Sequence, residues 1–77
     1  MFDRIKKLLA DEYGIADLSP DMNIKKDLGL SSFDLMNLLC IVEDEFGIEL
    51  DEADFRHLAT VVEMCAHVEK LVGEKNR

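Results

Sequence analysis

The hydrophobic positions in the first part of the chain fall into two helical stripes. Between residues 2 and 13 the apolar side chains recur every three or four positions, and Gly14 follows where a helix commonly ends. A second stripe starts at about Ser32 and stops before Gly47, with inward positions at Leu35, Leu38, Leu39, Val42 and Phe46. Both segments are therefore predicted to be amphipathic helices.

Two further helices, one short and one long, are predicted in the last third of the chain. Asp51 is suited to cap a brief helical turn, whose apolar anchors are Ala53, Phe55 and Leu58. Thr60 is a good N-cap for a final helix over about 61–73, which Gly73 closes. The sequence has no alternating run rich in Val, Ile and Thr. We therefore expect an all-α fold, a four-helix bundle of three longer helices and one short one.

A long loop separates the first two predicted helices. Residues 15–31 break the helical pattern with turn-forming residues, among them Ser19, Pro20, Asn23 and Gly29. Loops of this length in compact domains are usually functional or held by their own contacts. We expect this loop to be anchored by its apolar side chains, which are Ile15, Leu18, Met22, Ile24, Leu28 and Leu30.

The length and composition indicate one small acidic domain. With 77 residues, 48% of them hydrophobic, the chain suffices for one core and is predicted to form a single domain over residues 1–77. The formal charge is −8, and residues 27–63 hold ten acidic side chains and one basic one, whereas residues 1–26 are balanced. Because an ordinary solvated face mixes both signs, we interpret the acidic segment as a docking surface for basic proteins.

Several function classes fit this sequence poorly. Its negative charge repels a phosphate backbone, so nucleic acid is not an expected partner. No apolar run reaches the roughly 18 residues of a membrane helix and no signal-peptide core is found, so a cytoplasmic monomer without membrane insertion is predicted. Cys40 and Cys65 are interpreted as reduced thiols in buried or half-buried positions. Together with His57 and His67 they form no triad order and no zinc spacing, so neither an enzyme nor a metal site is predicted.

On the second predicted helix, another strip lies beside the inward stripe. It contains Phe33, Met36 and Cys40, and four polar residues flank or continue it, namely Asp34, Asn37, Glu43 and Asp44. An aromatic side chain and a methionine ringed by acids are typical of a partner-binding surface with electrostatic steering. We call these seven residues the docking patch. The alternative for Phe33 and Met36 is that they widen the core stripe.

Two adjacent serines, Ser31 and Ser32, stand where this helix begins. A helix N-terminus presents free backbone N–H groups and the positive end of the helix dipole, which suit a phosphate group. A hydroxyl at this point therefore suits a phosphodiester. The alternative is an N-cap, the usual role of serine at a helix start, which stabilises by about 1 kcal/mol. Spacing alone favours the N-cap.

The residues around these serines resemble a known family. The segment DLGLSSFDLMNL at residues 27–38 resembles D-L-G-x-D-S-L-D-x-V-E-L, the signature of acyl carrier proteins. The likeness covers nearly the whole chain. It includes the opening helix, the long loop, the segment EDEFGIEL at residues 43–50 and the Thr60–Val61 start of the last helix.

The resemblance implies that Ser32 carries a covalent 4'-phosphopantetheine arm. A phosphopantetheinyl transferase moves this group from coenzyme A onto the Ser32 hydroxyl and releases adenosine 3',5'-bisphosphate. The arm ends in a thiol that holds acyl groups as thioesters, and the protein presents them without catalysing a reaction itself. The implied partners are acyl-loading, condensing and reducing enzymes of fatty-acid or related biosynthesis, which have basic docking surfaces.

The resemblance also implies two sets of binding positions. The recognition positions of the family fall on Asp34, Met36, Glu43 and Asp44. The inner cavity that shelters the acyl chain in the family would be lined by Leu39, Val42, Phe55, Leu58 and Val61.

Three positions depart from the signature. Ser31 replaces the acid that usually precedes the modified serine and adds a second candidate hydroxyl, but only Ser32 keeps the register of the residues that follow. Phe33 replaces a common Leu, and Asn37 replaces a usual Glu, so the docking patch has one charge fewer. A polyketide, peptide or specialised-lipid carrier is therefore an alternative to a fatty-acid carrier. An acidic helical adaptor without a prosthetic group, which would tolerate Ser32→Ala, is a further alternative.

Overall fold

Four α-helices form the regular secondary structure of residues 1–75, which are the residues that the computed structural model describes. In chain order they are α1 (Phe2–Tyr13), α2 (Ser32–Phe46), α3 (Glu52–Arg56) and α4 (Val61–Lys75). Within this range, extended pairing is limited to one isolated antiparallel bridge between Asn23 and Thr60. The predicted all-α fold of three longer helices and one short one is confirmed. None of the four helices is long and apolar enough to cross a membrane.

The apolar stripes of the helices meet in one core. The buried side chains of α2 are the five that its sequence pattern predicts, and α4 contributes Val61, Met64, Cys65 and Val68. Ile5 and Leu9 of α1 are fully buried, whereas α3 adds only Phe55. Among residues 1–75 the buried positions are all apolar. The core is therefore stabilised by burial of apolar surface, at roughly 25 cal/mol per Å².

Glycines end α1 and α2 as predicted. Gly14 and Gly47 have φ angles of 66° and 63°, a left-handed conformation that other residues adopt only at a cost. The prediction that Gly73 ends the last helix is wrong, because α4 continues through Gly73 to Lys75. A glycine inside a helix costs only about 1 kcal/mol relative to alanine, which does not by itself break the helix.

The long loop between α1 and α2 is fastened to the start of α4 by its backbone. The N–H group of Val61 donates to the carbonyl of Met22 (3.0 Å), and the N–H group of Val62 donates to the carbonyl of Pro20 (2.8 Å). A helix leaves its first N–H groups without partners inside the helix, and these two bonds supply the missing acceptors. The loop and α4 therefore stabilise each other.

The loop is also anchored by its side chains, as predicted. Leu18 and Ile24 are buried in the core, and four further apolar residues of the loop pack against it, namely Ile15, Met22, Leu28 and Leu30. These contacts explain how seventeen residues without a helix keep a defined path. They bring the chain to the start of α2 from a fixed direction.

Candidate functional site at the start of α2

The first turn of α2 is closed by a capping box between Ser31 and Asp34. Ser31 is the N-cap, with an extended backbone (φ −76°, ψ 171°). Its hydroxyl accepts a hydrogen bond from the Asp34 N–H group (3.1 Å) and donates one to the Asp34 carboxylate (3.0 Å). The same carboxylate accepts from the Ser31 N–H group (3.1 Å). The N-cap role therefore belongs to Ser31, whose hydroxyl is committed to the helix start.

Ser32 is the first residue inside α2, and its hydroxyl is not committed. The residue is exposed, and its hydroxyl has no hydrogen-bond partner within residues 1–75. The N–H groups of Ser32 and Phe33 lie in the first turn, where a helix has no carbonyl groups to accept from them. No other group in the described part of the chain accepts from them either. Free N–H groups at the positive end of the helix dipole favour an anion, so a phosphodiester on the Ser32 oxygen fits this position.

The end of α1 braces the same turn of α2. The hydroxyl of Tyr13, the last residue of α1, donates to the main-chain carbonyl of Asp34 (3.1 Å) and accepts from the side-chain amide of Asn37 (3.2 Å). Burial raises the pKa of Tyr13 above the ordinary 10.0, the hydrogen bond from Asn37 lowers it, and the nearby charge of Asp34 raises it. The phenol therefore keeps its proton at neutral pH and remains a donor to Asp34.

Four members of the docking patch line one exposed face of α2. Phe33, Asn37, Cys40 and Asp44 are all exposed, and they succeed one another at spacings of four, three and four. We call these four residues the exposed face. Phe33 is 81% exposed, which overturns the alternative that it widens the core. Met36 is half-buried and borders both the core and the exposed face.

Most carboxylates of α2 are held by other parts of the molecule. In addition to the one in the capping box, the Glu43 carboxylate accepts from the Leu50 N–H group (2.8 Å), and Glu45 pairs with Arg4 (3.6 Å). Asp44 is exposed and has no hydrogen bond or ion pair to the residues that the structure describes. The unpaired negative charge of α2 therefore lies at the C-terminal end of the exposed face.

The five residues predicted to line an acyl pocket converge in the interior. All belong to or pack against the same core cluster, in which Leu39, Val42, Phe55 and Val61 are buried and Leu58 is half-buried. They come from α2, from α3 and the residue pair that follows it, and from the start of α4. The structure thus brings these side chains together, and their role toward an acyl chain stays a prediction.

The remaining chemically active side chains lie apart. Cys65 is buried, and burial raises the pKa of its thiol above the ordinary 9.0, which disfavours the reactive thiolate. Cys40 is exposed, so the interpretation of both cysteines as buried or half-buried is wrong for Cys40. Within residues 1–75, no three side chains of the types His, Cys, Asp and Glu are grouped so that they could hold a metal ion.

The sequence analysis missed the contribution of Tyr13 to this site. It counted Tyr13 among the apolar positions of α1 and assigned it no partner. One signal was present, because a tyrosine at the edge of an apolar stripe usually finds a partner for its hydroxyl. The partner Asn37 lies 24 positions away, however, and helical spacing carries no information about a pairing at that distance.

Comparison with known proteins agrees with the geometry of this site. A family model described as "Phosphopantetheine attachment site" matches residues 3–68. A protein of Solidesulfovibrio magneticus named acyl carrier protein is 32% identical over 74 residues, which cover 94% of this chain and 95% of that protein. A protein of the same name from Thermotoga maritima is 29% identical over 75 residues, covering 95% of this chain and 93% of the relative.

A solved structure is similar in fold. The crystal structure of an acyl carrier protein from Thermotoga maritima superposes on this chain with a TM-score of 0.81, covering 94% of this chain and 86% of that one. The sequence identity of the superposed pair is 20%, so this likeness concerns the arrangement of the helices alone.

Proposed function

The chain belongs to the acyl carrier protein family, whose members bear a phosphopantetheine group, and we propose that the Ser32 hydroxyl is the attachment point. The protein is a carrier and not an enzyme. The observation that supports Ser32 is the contrast between the two serines. The Ser31 hydroxyl is consumed by the capping box, whereas the Ser32 hydroxyl is exposed and free of hydrogen bonds within residues 1–75.

The attachment chemistry uses what the start of α2 offers. The Ser32 oxygen bonds to the phosphorus atom of coenzyme A that bears pantetheine, the phosphoanhydride bond breaks, and adenosine 3',5'-bisphosphate leaves. The serine proton passes to a base of the transferase. The free N–H groups of Ser32 and Phe33, together with the helix dipole, favour the negative charge of the resulting phosphodiester. When bound, phosphopantetheine supplies a thiol that carries acyl groups as thioesters.

The exposed face of α2 is the proposed contact surface for the partner enzymes. These are the phosphopantetheinyl transferase and the acyl-loading, condensing and reducing enzymes. Phe33 offers an apolar anchor next to Ser32, since a phenyl ring that is 81% exposed gains from burial in a partner. Asp44 offers an unpaired charge at the opposite end. The flanking members of the patch, Asp34, Met36 and Glu43, border this contact. The acidic segment 27–63 attracts basic surfaces and raises the rate of encounter.

The interior between α2 and α3 is the proposed shelter for the acyl chain. Its lining would come from Leu39, Val42, Phe55, Leu58 and Val61. The helix α3 has five residues and one buried side chain, Phe55. Separating α3 from α2 therefore exposes less apolar surface than displacing a longer helix, and local openings of this kind require the least free energy. An acyl chain that enters replaces apolar contacts with apolar contacts.

Other parts of the proposal rest on the sequence. The family match over residues 3–68 supports one carrier domain over residues 1–77. The charge of −8 favours fatty-acid biosynthesis over a polyketide, peptide or specialised-lipid pathway as the source of the cargo. A cytoplasmic location and a monomeric state stay predictions.

The assignment to Ser32 is tested by intact-mass analysis after incubation with coenzyme A and a broad-specificity phosphopantetheinyl transferase. We expect one phosphopantetheine adduct on the wild-type protein and on Ser31→Ala, and no adduct on Ser32→Ala. An adduct that is lost only in Ser31→Ala moves the site by one residue. Absence of any adduct on the wild-type protein contradicts the proposal and favours an acidic helical adaptor.

A further inference from the structure

The middle of the exposed face of α2 carries a neutral, tethered amide. Asn37 stands one helical turn beyond Phe33, at the position where the signature of the family has Glu. Its side-chain N–H group donates to the Tyr13 hydroxyl (3.2 Å), and that hydroxyl donates its own proton to the Asp34 carbonyl (3.1 Å). The amide is therefore connected through α1 to the turn that contains Ser32.

The direction of these hydrogen bonds suits an amide and not a carboxylate. The proton of Tyr13 is already donated to the Asp34 carbonyl, so the phenol oxygen faces position 37 as an acceptor. An amide has N–H groups for that acceptor, whereas an ionised carboxylate has none. A glutamate at position 37 would either turn away from Tyr13 or draw its proton from the Asp34 carbonyl. Asn37 makes the contact without either change.

The surroundings of Asn37 are also uncharged. Its neighbours on the exposed face are Phe33 and Cys40, and the unpaired carboxylate of Asp44 lies two turns away, roughly 10 Å along the helix. A lysine or arginine of a partner that is buried against this part of the face would meet no opposite charge, and burying an unpaired charge is costly. After its bond to Tyr13, Asn37 retains one N–H group and its carbonyl oxygen for a neutral hydrogen-bonding side chain.

We propose that Tyr13 and Asn37 together set the partner specificity of the exposed face. Asn37 selects partner enzymes that present a neutral amide or hydroxyl, rather than a lysine or arginine, opposite the second turn of α2. Tyr13 is a positioning residue, because it acts by fixing the Asn37 amide. This inference rests on the proposed function, since the partners in question are those that act on the group attached at Ser32.

The first experiment measures kcat and KM for modification by a broad-specificity phosphopantetheinyl transferase whose docking surface is basic. Asn37→Glu is expected to lower KM roughly two- to fivefold with kcat unchanged, the range of one exposed ion pair. Ala66→Glu adds the same charge to the exposed side of α4 and is expected to leave KM near the wild-type value. Equal KM values for wild type and Asn37→Glu, or an equal fall in Ala66→Glu, overturn the role of Asn37.

The second experiment examines Tyr13→Phe in both backgrounds. With Asn37 present, loss of the hydroxyl frees the amide to turn its oxygen toward the cations of the probe enzyme, so KM falls roughly twofold, as expected for one modest polar contact. With Asn37→Glu present, Tyr13→Phe is expected to leave KM unchanged. The NMR resonances of the Asn37 side-chain amide should shift in Tyr13→Phe. An equal KM change in both backgrounds, or unshifted amide resonances, overturns the positioning role.

The two levels of the argument fail separately. If the wild-type protein and Asn37→Glu are both modified at Ser32 with the same KM, the specificity inference is overturned and the attachment site stands. If the wild-type protein takes no adduct, the proposed function fails and the specificity inference falls with it.

Discussion

The starts of α2 and α4 are built from the same local device and differ in what surrounds it. In α2 the capping box joins Ser31 and Asp34. In α4 the hydroxyl of Thr60 accepts from the N–H group of Glu63 (3.3 Å). The Glu63 carboxylate accepts in return from the N–H groups of Thr60 (3.1 Å) and Ala59 (2.7 Å). Both boxes satisfy the backbone at the helix start and hold its position.

Beyond the box, α4 is closed and α2 is open. The next two N–H groups of α4 donate to carbonyls of the long loop, and its first residue, Val61, is fully buried. The equivalent N–H groups of α2 have no acceptor in the described part of the chain, and its first residue, Ser32, is exposed. The cap therefore only fixes where a helix begins. Whether that point serves stability or chemistry depends on whether the fold covers it.

The largest contrast is expected between the first residues of the two helices. Val61→Ala removes two methyl groups from a fully buried side chain and should lower the free energy of unfolding by about 2 kcal/mol. Ser32→Ala should change it by less than about 0.5 kcal/mol, because the residue is exposed, while abolishing modification. Urea denaturation of both variants checks the first part and intact mass the second. A large loss of stability in Ser32→Ala would contradict the open end described for α2.

A smaller effect is expected from the two caps, which should behave alike in stability and differently in function. Ser31→Ala and Thr60→Ala should each lower the free energy of unfolding by about 1 kcal/mol, since each removes the acceptor of an N-terminal N–H group. Both variants should still accept phosphopantetheine at Ser32, with Ser31→Ala the slower substrate because its first turn is less fixed. Denaturation curves and initial rates measure the two effects. A normal rate in Ser31→Ala would show that the capping box does not position Ser32.

The smallest effect is expected in the pH dependence of the closed end. Hydrogen bonds from Ala59 and Thr60 lower the pKa of Glu63 below the ordinary 4.5. A lowered pKa in the folded state contributes stability above pH 4.5, and this contribution is lost as the pH falls through the folded-state value. Glu63→Gln should therefore show a weaker fall in stability than the wild-type protein between pH 6 and the acid range. Glu69→Gln, another exposed acid of α4, is the matched control, and an equal flattening there would contradict this assignment.

Helix positions and inward faces were readable from the sequence because they depend on local periodicity. The five buried residues of α2 follow from their spacing alone, and Gly14 and Gly47 mark ends that require a left-handed backbone. The same reasoning failed at Gly73, since a single glycine favours a helix end without imposing one. Local rules are reliable where the backbone geometry demands a particular residue.

The site was only partly readable because its details depend on contacts between distant segments. The motif selects Ser32, but the assignment of the cap to Ser31 needed the position of the Asp34 carboxylate. The pattern also counted Glu43 as a docking acid, whereas its carboxylate binds the Leu50 N–H group. The link from Tyr13 to Asn37 joins two helices, and no periodicity within either helix indicates it.

The fixed start of α2 makes Ser32 a stationary pivot. The loop before it is pinned to α4, and the turn around it is locked by Ser31 and Tyr13. A group attached there sweeps a volume set by its own length, on the side of the pivot that faces away from the protein body. An enzyme bound along α2 therefore meets the tip of that group by its diffusion within the sweep, without waiting for the carrier to change shape.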